Sequence, residues 1–287
     1  MYAAYNRRVG QPATSLARLA APRASMWRWS WILLTALAAF GPAAAVPAGT
    51  MIGDYNLAEG SYANALSGSG ALGSLSPVST TGTFGFVTSG SNPGWFWSGA
   101  GSPGSGLALA GLPANDGLTF GDYSIGMQFS LGTVTGLYRR LMLFQSGQDV
   151  GPYVANGAFE FYNLSPSGGS ITANATVDFL LTRNAVTKEV RAYLNGSSTP
   201  IYSFIDSGND ARTGSIAPRT IQFFIDNGPE FSASGRISLL RVWNGPLAAV
   251  DIPSAMSVVP EPGTGILVSV GAVAAAWWLR RRRFEVL

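Results

Sequence analysis

Hydrophobic and polar residues alternate along several short segments in the middle of the chain. The clearest is residues 124–131, Ser-Ile-Gly-Met-Gln-Phe-Ser-Leu, in which every second residue is apolar. A period of two is typical of a β-strand that buries one face, and no segment before residue 245 has a convincing helical period. The pattern predicts strands at 83–87, 106–109, 124–131, 141–145, 158–162, 176–181, 189–194, 220–225 and 236–242.

Turns rich in glycine and asparagine separate these segments. Examples are Asn195-Gly196, Asn227-Gly228-Pro229 and Ser167-Gly168-Gly169. Residues 60–105 are rich in Gly and Ser but contain Trp95-Phe96-Trp97, so we expect loops and edge strands of the same domain rather than a linker. Many short strands between such turns predict an all-β fold, a sandwich or a barrel.

The N-terminal segment has the features of a secretory signal peptide. A basic flank ending at Arg28 precedes an apolar run at 31–40, Gly41-Pro42 interrupts it, and three alanines follow at 43–45. This order predicts a leader over residues 1–45, with Met1 and Met26 as alternative starts. The alternative is a buried core helix.

The C-terminal segment predicts a transmembrane helix. Residues 263–279 carry no charge, and 17 residues of helix span roughly 25 Å, close to the ~30 Å hydrocarbon core. Trp277 and Trp278 suit the membrane interface. Four arginines follow and predict that the tail stays in the cytoplasm while the preceding body lies outside; they are Arg280, Arg281, Arg282 and Arg283.

Directly before this predicted span stands Pro260-Glu261-Pro262. This motif, the apolar segment and the terminal arginines resemble the PEP-CTERM sorting signal of Gram-negative bacteria, over about residues 258–283. The resemblance implies processing by an exosortase, after a transient stay in the inner membrane, and a final place at the cell surface or in the matrix of a biofilm. The alternative is a plain tail anchor. We assign residues 255–287 to this signal.

The body, residues 46–254, carries a second resemblance. Residues 54–60 (Asp-Tyr-Asn-Leu-Ala-Glu-Gly), residues 234–247 and the Tyr-Leu-Asn-Gly at 193–196 are similar to LamG-like, concanavalin A-like domains. That family implies a two-sheet antiparallel jelly-roll β-sandwich.

Composition removes several classes of chemistry. The chain has no Cys and no His, which excludes disulfides, thiolate metal sites and the commonest general base. Between Val46 and Pro262 there are 9 basic and 14 acidic residues, a net charge of 9 − 14 = −5. A nucleic-acid-binding domain needs a basic face, so we expect no nucleic acid partner.

The carboxylates also argue against an enzyme. Retaining glycosidases of this fold carry closely spaced glutamates, but no two glutamates of the body lie within five residues of each other. Asp206 and Asp210 are a carboxylate pair only four residues apart and are expected in a solvated turn. A serine nucleophile would lack a histidine partner. We therefore expect no catalysis, with glycan hydrolysis as the lesser alternative.

Two kinds of candidate site remain. Trp95 and Trp97 share one face of a strand, where they either stack on a sugar or belong to the core. Oxygen-rich loops offer calcium ligands, or simply form turns; the candidate ligands are Asp149, Asp226, Asn227 and Glu230. Arg139-Arg140 is expected at the solvated start of a strand.

These observations predict an exported protein that binds glycan or protein without catalysis. Its expected partners are signal peptidase and exosortase during export, and exopolysaccharide or a matrix protein afterwards. Calcium is the one candidate cofactor. A structural matrix protein without a defined ligand is the alternative.

Replacing Glu261 with Ala should leave the full-length chain in the membrane, because the prolines hold the motif extended and accessible to a membrane enzyme that reads it. Immunoblotting of membrane and surface fractions measures the retention. A host strain without exosortase should retain the same band. Mass spectrometry that finds residues 264–287 on the mature wild-type protein would contradict the sorting hypothesis.

Overall fold

The computed structural model describes residues 49–79, 82–98, 105–136, 138–145, 148–162, 164, 166–225 and 234–257. Within these residues the chain forms sixteen β-strands, a 3-10 turn at Leu57–Glu59 and one short helix. The elements are β1 (Thr50–Asn56), β2 (Ser76–Ser79), β3 (Thr83–Val87), β4 (Gly94–Ser98), β5 (Ser105–Leu109), β6 (Tyr123–Leu131), β7 (Arg139–Arg140), β8 (Met142–Leu143), β9 (Gly151–Ala155), β10 (Ala158–Tyr162), β11 (Ser167–Ser170), β12 (Val177–Arg183), β13 (Glu189–Leu194), β14 (Tyr202–Ile205), β15 (Ile221–Phe223), β16 (Gly235–Asn244) and α1 (Ile252–Ala255).

Eight strands form the larger sheet, in the order β14-β13-β12-β6-β16-β4-β3, and β1 also pairs with β16. All of these pairings are antiparallel. The ten-residue strand β16 lies inside the sheet, with β6 along one edge and with β4 and β1 in succession along the other.

The second layer consists of two four-stranded antiparallel sheets, β2-β5-β15-β8 and β11-β10-β9-β7. Leu141 joins them, because its N–H donates to the Pro152 carbonyl at 2.8 Å and its carbonyl accepts from Phe224 N–H at 3.2 Å. Strands β7 and β8 flank Leu141 and thus act as one strand between β9 and β15. The all-β, antiparallel fold predicted from the sequence is confirmed.

Aromatic side chains fill the space between the two layers. The Phe224 ring, beside β15, stacks on Trp97 of the larger sheet with 4.3 Å between centroids. At the other side of the core, Phe159 of β10 stacks on Phe179 of β12 at 5.2 Å. Both contacts connect one layer with the other, so the layers face each other as a β-sandwich around one hydrophobic core.

A β-bulge in β16 decides which of its side chains enter this core. Ile237 pairs with Phe129 and Leu239 pairs with Gln128, so Ser238 is an extra residue in the strand. Ile237 therefore belongs to the main core, whereas Leu239 faces away from it and packs in a second hydrophobic cluster.

The second cluster covers part of the outer face of the larger sheet. Leu180, Tyr193, Leu239 and Trp243 of the sheet pack there against Ile252, Ala255 and Met256 of the C-terminal segment. A Cβ atom at Gly126 would collide with the Met256 sulfur. Strand β6 is therefore buried on both faces along much of its length. The prediction that 124–131 buries one face was wrong around Gly126, because the C-terminal segment covers the outer face there.

Arg241 fixes this C-terminal segment to the sheet. Its Nη1 donates to the carbonyls of Ala255 and Ser257, at 2.8 and 2.7 Å. Its Nε donates to Asp54 Oδ1 of β1 at 3.0 Å. The guanidinium thus satisfies carbonyls at the end of a short helix and shares a buried ion pair at the same time.

Three predicted strands, 83–87, 158–162 and 189–194, have the observed bounds. The turn predicted at Ser167-Gly168-Gly169 was wrong, since these residues form the edge strand β11. A Cβ atom at Gly168 would collide with the Ile201 carbonyl. Glycine is therefore needed here for close approach to Ile201, the residue before β14, rather than for a turn.

Replacing Trp97 with Ala should lower the free energy of unfolding by roughly 3–5 kcal/mol, because a large ring with 3% exposure leaves a cavity in the core. Chemical denaturation measures the change. Val186 is 92% exposed, and its replacement with Ala should change stability by about 0.5 kcal/mol or less. Equal stability of the Trp97 variant and the wild type would contradict the core assignment.

Candidate functional site

The outer face of the larger sheet has two parts of different character. The second hydrophobic cluster and α1 cover the apolar part. The other part is polar and lies where β4 and β6 end and β16 begins. A pocket of about 320 Å³ opens there. Its lining residues are Asn92, Phe96, Trp97, Ser98, Ser130, Gly132, Asn174, Ser234, Gly235 and Arg236.

Strand alternation explains why polar groups meet at this pocket. Trp95 and Trp97 enter the core, so Phe96 between them faces outward. Phe96 pairs directly with Arg236 of β16, which pairs in turn with Ser130 of β6. The register therefore places an aromatic ring, a guanidinium and a hydroxyl in one row across three strands.

Several polar groups of the pocket are available to a ligand. The side chains of Ser130, Asn174 and Ser234 make no hydrogen bond to any residue that the structure describes. Their backbone is nevertheless fixed, because Asn174 N–H donates to the Leu131 carbonyl at 2.7 Å and the Ser234 carbonyl accepts from Gly132 N–H at 2.8 Å. Ordered backbone and uncommitted side chains are what a preformed binding site requires.

Arg236 brings the positive charge of the pocket. Its Nη1 donates to the Asn92 carbonyl, which orients the planar guanidinium. Within the described part of the chain no carboxylate pairs with it. The side chain is half-buried, so its charge acts on the pocket with less screening than a fully exposed arginine would.

The next row of outward-facing side chains is polar but already paired. Gln128 Nε2 donates to Asp178 Oδ1 at 3.0 Å, and Ser238 Oγ donates to Gln128 Oε1 at 2.7 Å. These side chains already use their hydrogen-bonding groups on one another, so they border the pocket but are not available to bind a ligand.

The candidate tryptophans lie in the interior of the sandwich. Trp95 is fully buried and its Nε1 donates to Tyr62 Oη at 3.0 Å; burial raises the pKa of Tyr62, against a smaller lowering by this hydrogen bond. Trp97 packs between Trp95 and Phe224. Neither residue is more than 3% exposed, so both belong to the core alternative, although Trp97 also contributes to the lining of the pocket.

Asp149, a candidate calcium ligand, contacts protein groups. Its Oδ1 accepts hydrogen bonds from Arg140 Nη2 and, at 2.5 Å, from Tyr153 Oη. Asp226, Asn227 and Glu230 lie outside the described residues. Among the residues the structure does describe, no group of three or more acidic side chains is placed to hold a metal ion.

The expectation of a solvated Arg139-Arg140 pair was wrong for Arg140. Its side chain is buried, pairs with Asp149 and lies over the Tyr153 ring at 5.1 Å. Burial also lowers the pKa of Arg139 from its usual value. Tyr153 of the neighbouring strand β9 covers Arg140, a contact that the local sequence does not reveal.

The expectation of a solvated turn at Asp206 was also wrong. Asp206 is fully buried and its Oδ2 accepts from Arg183 Nε at 2.8 Å. Its Oδ1 accepts from the backbone N–H of Asp210 at 2.7 Å. Arg183, itself fully buried, also donates to Asn209 Oδ1 at 3.2 Å. This cluster anchors the loop after β14 and contributes no free carboxylate.

The sorting motif Pro260-Glu261-Pro262, the arginines Arg280–Arg283 and the leader at 1–45 lie outside the described residues. So does the predicted span, residues 263–279. Among the helices that are described, none has the length and apolar character needed to cross a membrane.

Sequence reasoning missed Phe96 and Arg236 as site residues. Both occupy outward positions of strands whose inward residues were recognised as apolar. The alternation of each strand already indicated that Phe96 and Arg236 face outward. That the two residues are neighbours depends on the pairing of β4 with β16, which the sequence does not reveal.

Comparison with protein-family models found no match, and comparison with curated proteins found none. Among solved structures, the chain is similar to domain 4 of AbnA, a GH43 extracellular arabinanase from Geobacillus stearothermophilus, in complex with arabinotriose (TM-score 0.49, 14% identity, covering 72% of this chain and 98% of that one). It is also similar to the binding domain of botulinum neurotoxin DC in complex with rat synaptotagmin II (0.49, 12%, 71% and 51%) and to that of serotype D (0.46, 15%, 71% and 51%). The chain spans about half the length of these toxin binding domains. Similarity at this level does not extend to function.

Replacing Asp206 with Ala should lower the free energy of unfolding by about 3–5 kcal/mol, because Arg183 would keep a buried charge without its closest carboxylate. Thermal and urea denaturation measure the loss. Asp210→Ala keeps the backbone N–H that Asp206 accepts from, so it should cost about 1 kcal/mol or less. Similar losses in both variants would show that the loop, and not the ion pair, sets the cost.

Proposed function

We propose that this protein is exported to the cell surface or extracellular matrix and binds a glycan there without catalysis. The observation that carries the proposal is the pocket on the outer face of the larger sheet, with its half-buried Phe96 and its uncommitted Ser130, Asn174 and Ser234 side chains.

The chemistry of the pocket suits a sugar. Hydroxyls and amides both donate and accept hydrogen bonds, as the hydroxyls of a sugar do. The outward ring of Phe96 offers an apolar surface for the C–H face of a sugar ring, which releases water from both. A volume of about 320 Å³ lies at the small end of the usual ligand sites, so we propose a short stretch of glycan as the ligand.

Binding without hydrolysis is favoured by the lining of the pocket. Glycoside hydrolysis uses two carboxyl groups on either side of the scissile bond. None of the ten residues known to line the pocket is Asp or Glu. The chain also has no histidine that could serve as a base elsewhere.

Export and sorting complete the proposal. The leader at 1–45 would be removed by signal peptidase, and Pro260-Glu261-Pro262 would be read by an exosortase while residues 263–279 hold the chain in the inner membrane. The two antiparallel layers support the resemblance of the body to a concanavalin A-like jelly roll, a fold that suits an extracellular binding module. Calcium remains a proposed ligand of Asp226, Asn227 and Glu230.

The test measures retention of the full chain, purified in mild detergent, on immobilised exopolysaccharide from the native host. Phe96→Ala should weaken binding at least about fivefold, equivalent to about 1 kcal/mol, and Asn174→Ala should weaken it as well. The melting temperature of the Phe96 variant should stay close to that of the wild type, since this side chain lies outside the core. The Asn174 variant should melt slightly earlier, because alanine tolerates the positive φ of 63° at this position less well than asparagine.

Tyr138→Ala is the matched control, because it removes an exposed aromatic ring beside β7 of the other layer. It should leave retention unchanged. Full retention by the Phe96 variant, or an equal loss in the Tyr138 variant, would contradict binding at the pocket. Release of reducing ends during incubation would contradict the absence of catalysis.

A further inference from the structure

We propose that the pocket recognises a carboxylate-bearing sugar, a uronic acid residue within the glycan, and that Arg236 binds its carboxylate. This inference rests on the proposed function and names the substrate class of the same site. The observation behind it is that the guanidinium of Arg236 has different partners from those of most other arginines in the sandwich.

Most of those arginines already hold an anion. Arg140, Arg183, Arg191, Arg212 and Arg241 each pair with a carboxylate of the protein. Arg219 is engaged by backbone carbonyls, with its Nε at 2.8 Å from the Leu112 oxygen. Arg236 contacts a single carbonyl and no carboxylate among the described residues. A half-buried cation without an anion is the group most able to gain from an anionic ligand.

The orientation of the guanidinium suits a carboxylate. Nη1 is engaged by the Asn92 carbonyl, which leaves Nε and Nη2 without a partner in the described part of the chain. These two atoms form one edge of the planar group, and parallel N–H bonds from one edge match the two oxygens of a carboxylate. The contact with Asn92 also reduces the rotamer freedom that binding would otherwise have to remove.

The neighbours of Arg236 can hold the rest of the sugar. Phe96 is its direct cross-strand neighbour on one side and Ser130 on the other. A uronic acid whose carboxylate meets Arg236 would thus have an apolar surface beside one side of its ring and a hydroxyl beside the other. Asn174 and Ser234 lie within the same pocket and can bind further hydroxyls.

Long-range electrostatic attraction between the protein and an acidic glycan cannot replace the contact of the carboxylate with Arg236. The body carries a net charge of −5 between Val46 and Pro262, so its overall field repels a polyanion. A polyuronate must therefore bind through local pairing with Arg236. Arg236 is the one cation among the described residues that line the pocket, and a single cation favours one carboxylate over a densely sulfated chain, which needs several cations.

The experiment compares polygalacturonate, neutral dextran and dextran sulfate as ligands of the full chain in mild detergent. Wild-type protein should bind polygalacturonate most tightly. Arg236→Gln should weaken that binding about tenfold, as expected for loss of a charge-assisted hydrogen-bonded pair, and should leave binding of dextran unchanged. Arg236→Lys keeps the charge and the fold but not the planar fork, so it should restore only part of the affinity.

Arg191→Gln is the matched control, because it removes the same charge from a half-buried ion pair on β13, and it should bind polygalacturonate like the wild type. An equal loss in both glutamine variants, or tighter binding of dextran sulfate than of polygalacturonate, would overturn the assignment of Arg236. Binding of dextran alone, unaffected by Arg236→Gln, would overturn this inference and leave the proposed function standing. Failure of all three glycans and of native exopolysaccharide to bind would overturn both.

Discussion

The extra residue in β16 is the constraint on which the arrangement of the larger sheet depends. Arg236 and Arg241 are five residues apart, so a regular strand would direct them to opposite faces. The bulge at Ser238 restores them to the same face while Ile237 and Leu240 stay in the core. One inserted residue thus allows a single strand to hold the pocket at its beginning and the C-terminal segment near its end.

The pair of Arg183 and Asp206 shows how opposite charges are accommodated in the interior. The chain has only 11% charged residues, yet Arg183 and Asp206 are completely buried. Their cost of desolvation is offset because each also bonds to polar groups of the surrounding loop. A buried ion pair of this kind fixes the position of the loop against the sheet, because its hydrogen bonds are directional. Two apolar side chains in the same place would pack without that directional constraint.

Several strands were predictable because alternation is a local property, whereas β1, β2, β9, β11 and β14 were not predicted. Residues 189–194 needed no knowledge of their neighbours to be recognised, and the same holds for 158–162. The pocket was not predictable, because Phe96 and Arg236 become neighbours only through the register of distant strands. The bulge was visible as the adjacent pair Leu239-Leu240, which breaks strict alternation, but its structural effect depends on the pairing with β6. Burial of Asp206 and Arg140 likewise depends on partners far along the chain.

The hydrogen bonds that Arg241 donates to the carbonyls of Ala255 and Ser257 affect how the protein bears a mechanical load. A pull on the chain beyond Ser257 reaches the sandwich first through these two hydrogen bonds and then through β16. This strand is bonded along both edges, so it cannot be peeled away one bond at a time and must slide against β6 and β1 together. A body held by its C-terminal end in flowing fluid would therefore resist extension at β16, and the pocket would lie on the same face of the sheet as the C-terminal segment that carries the load.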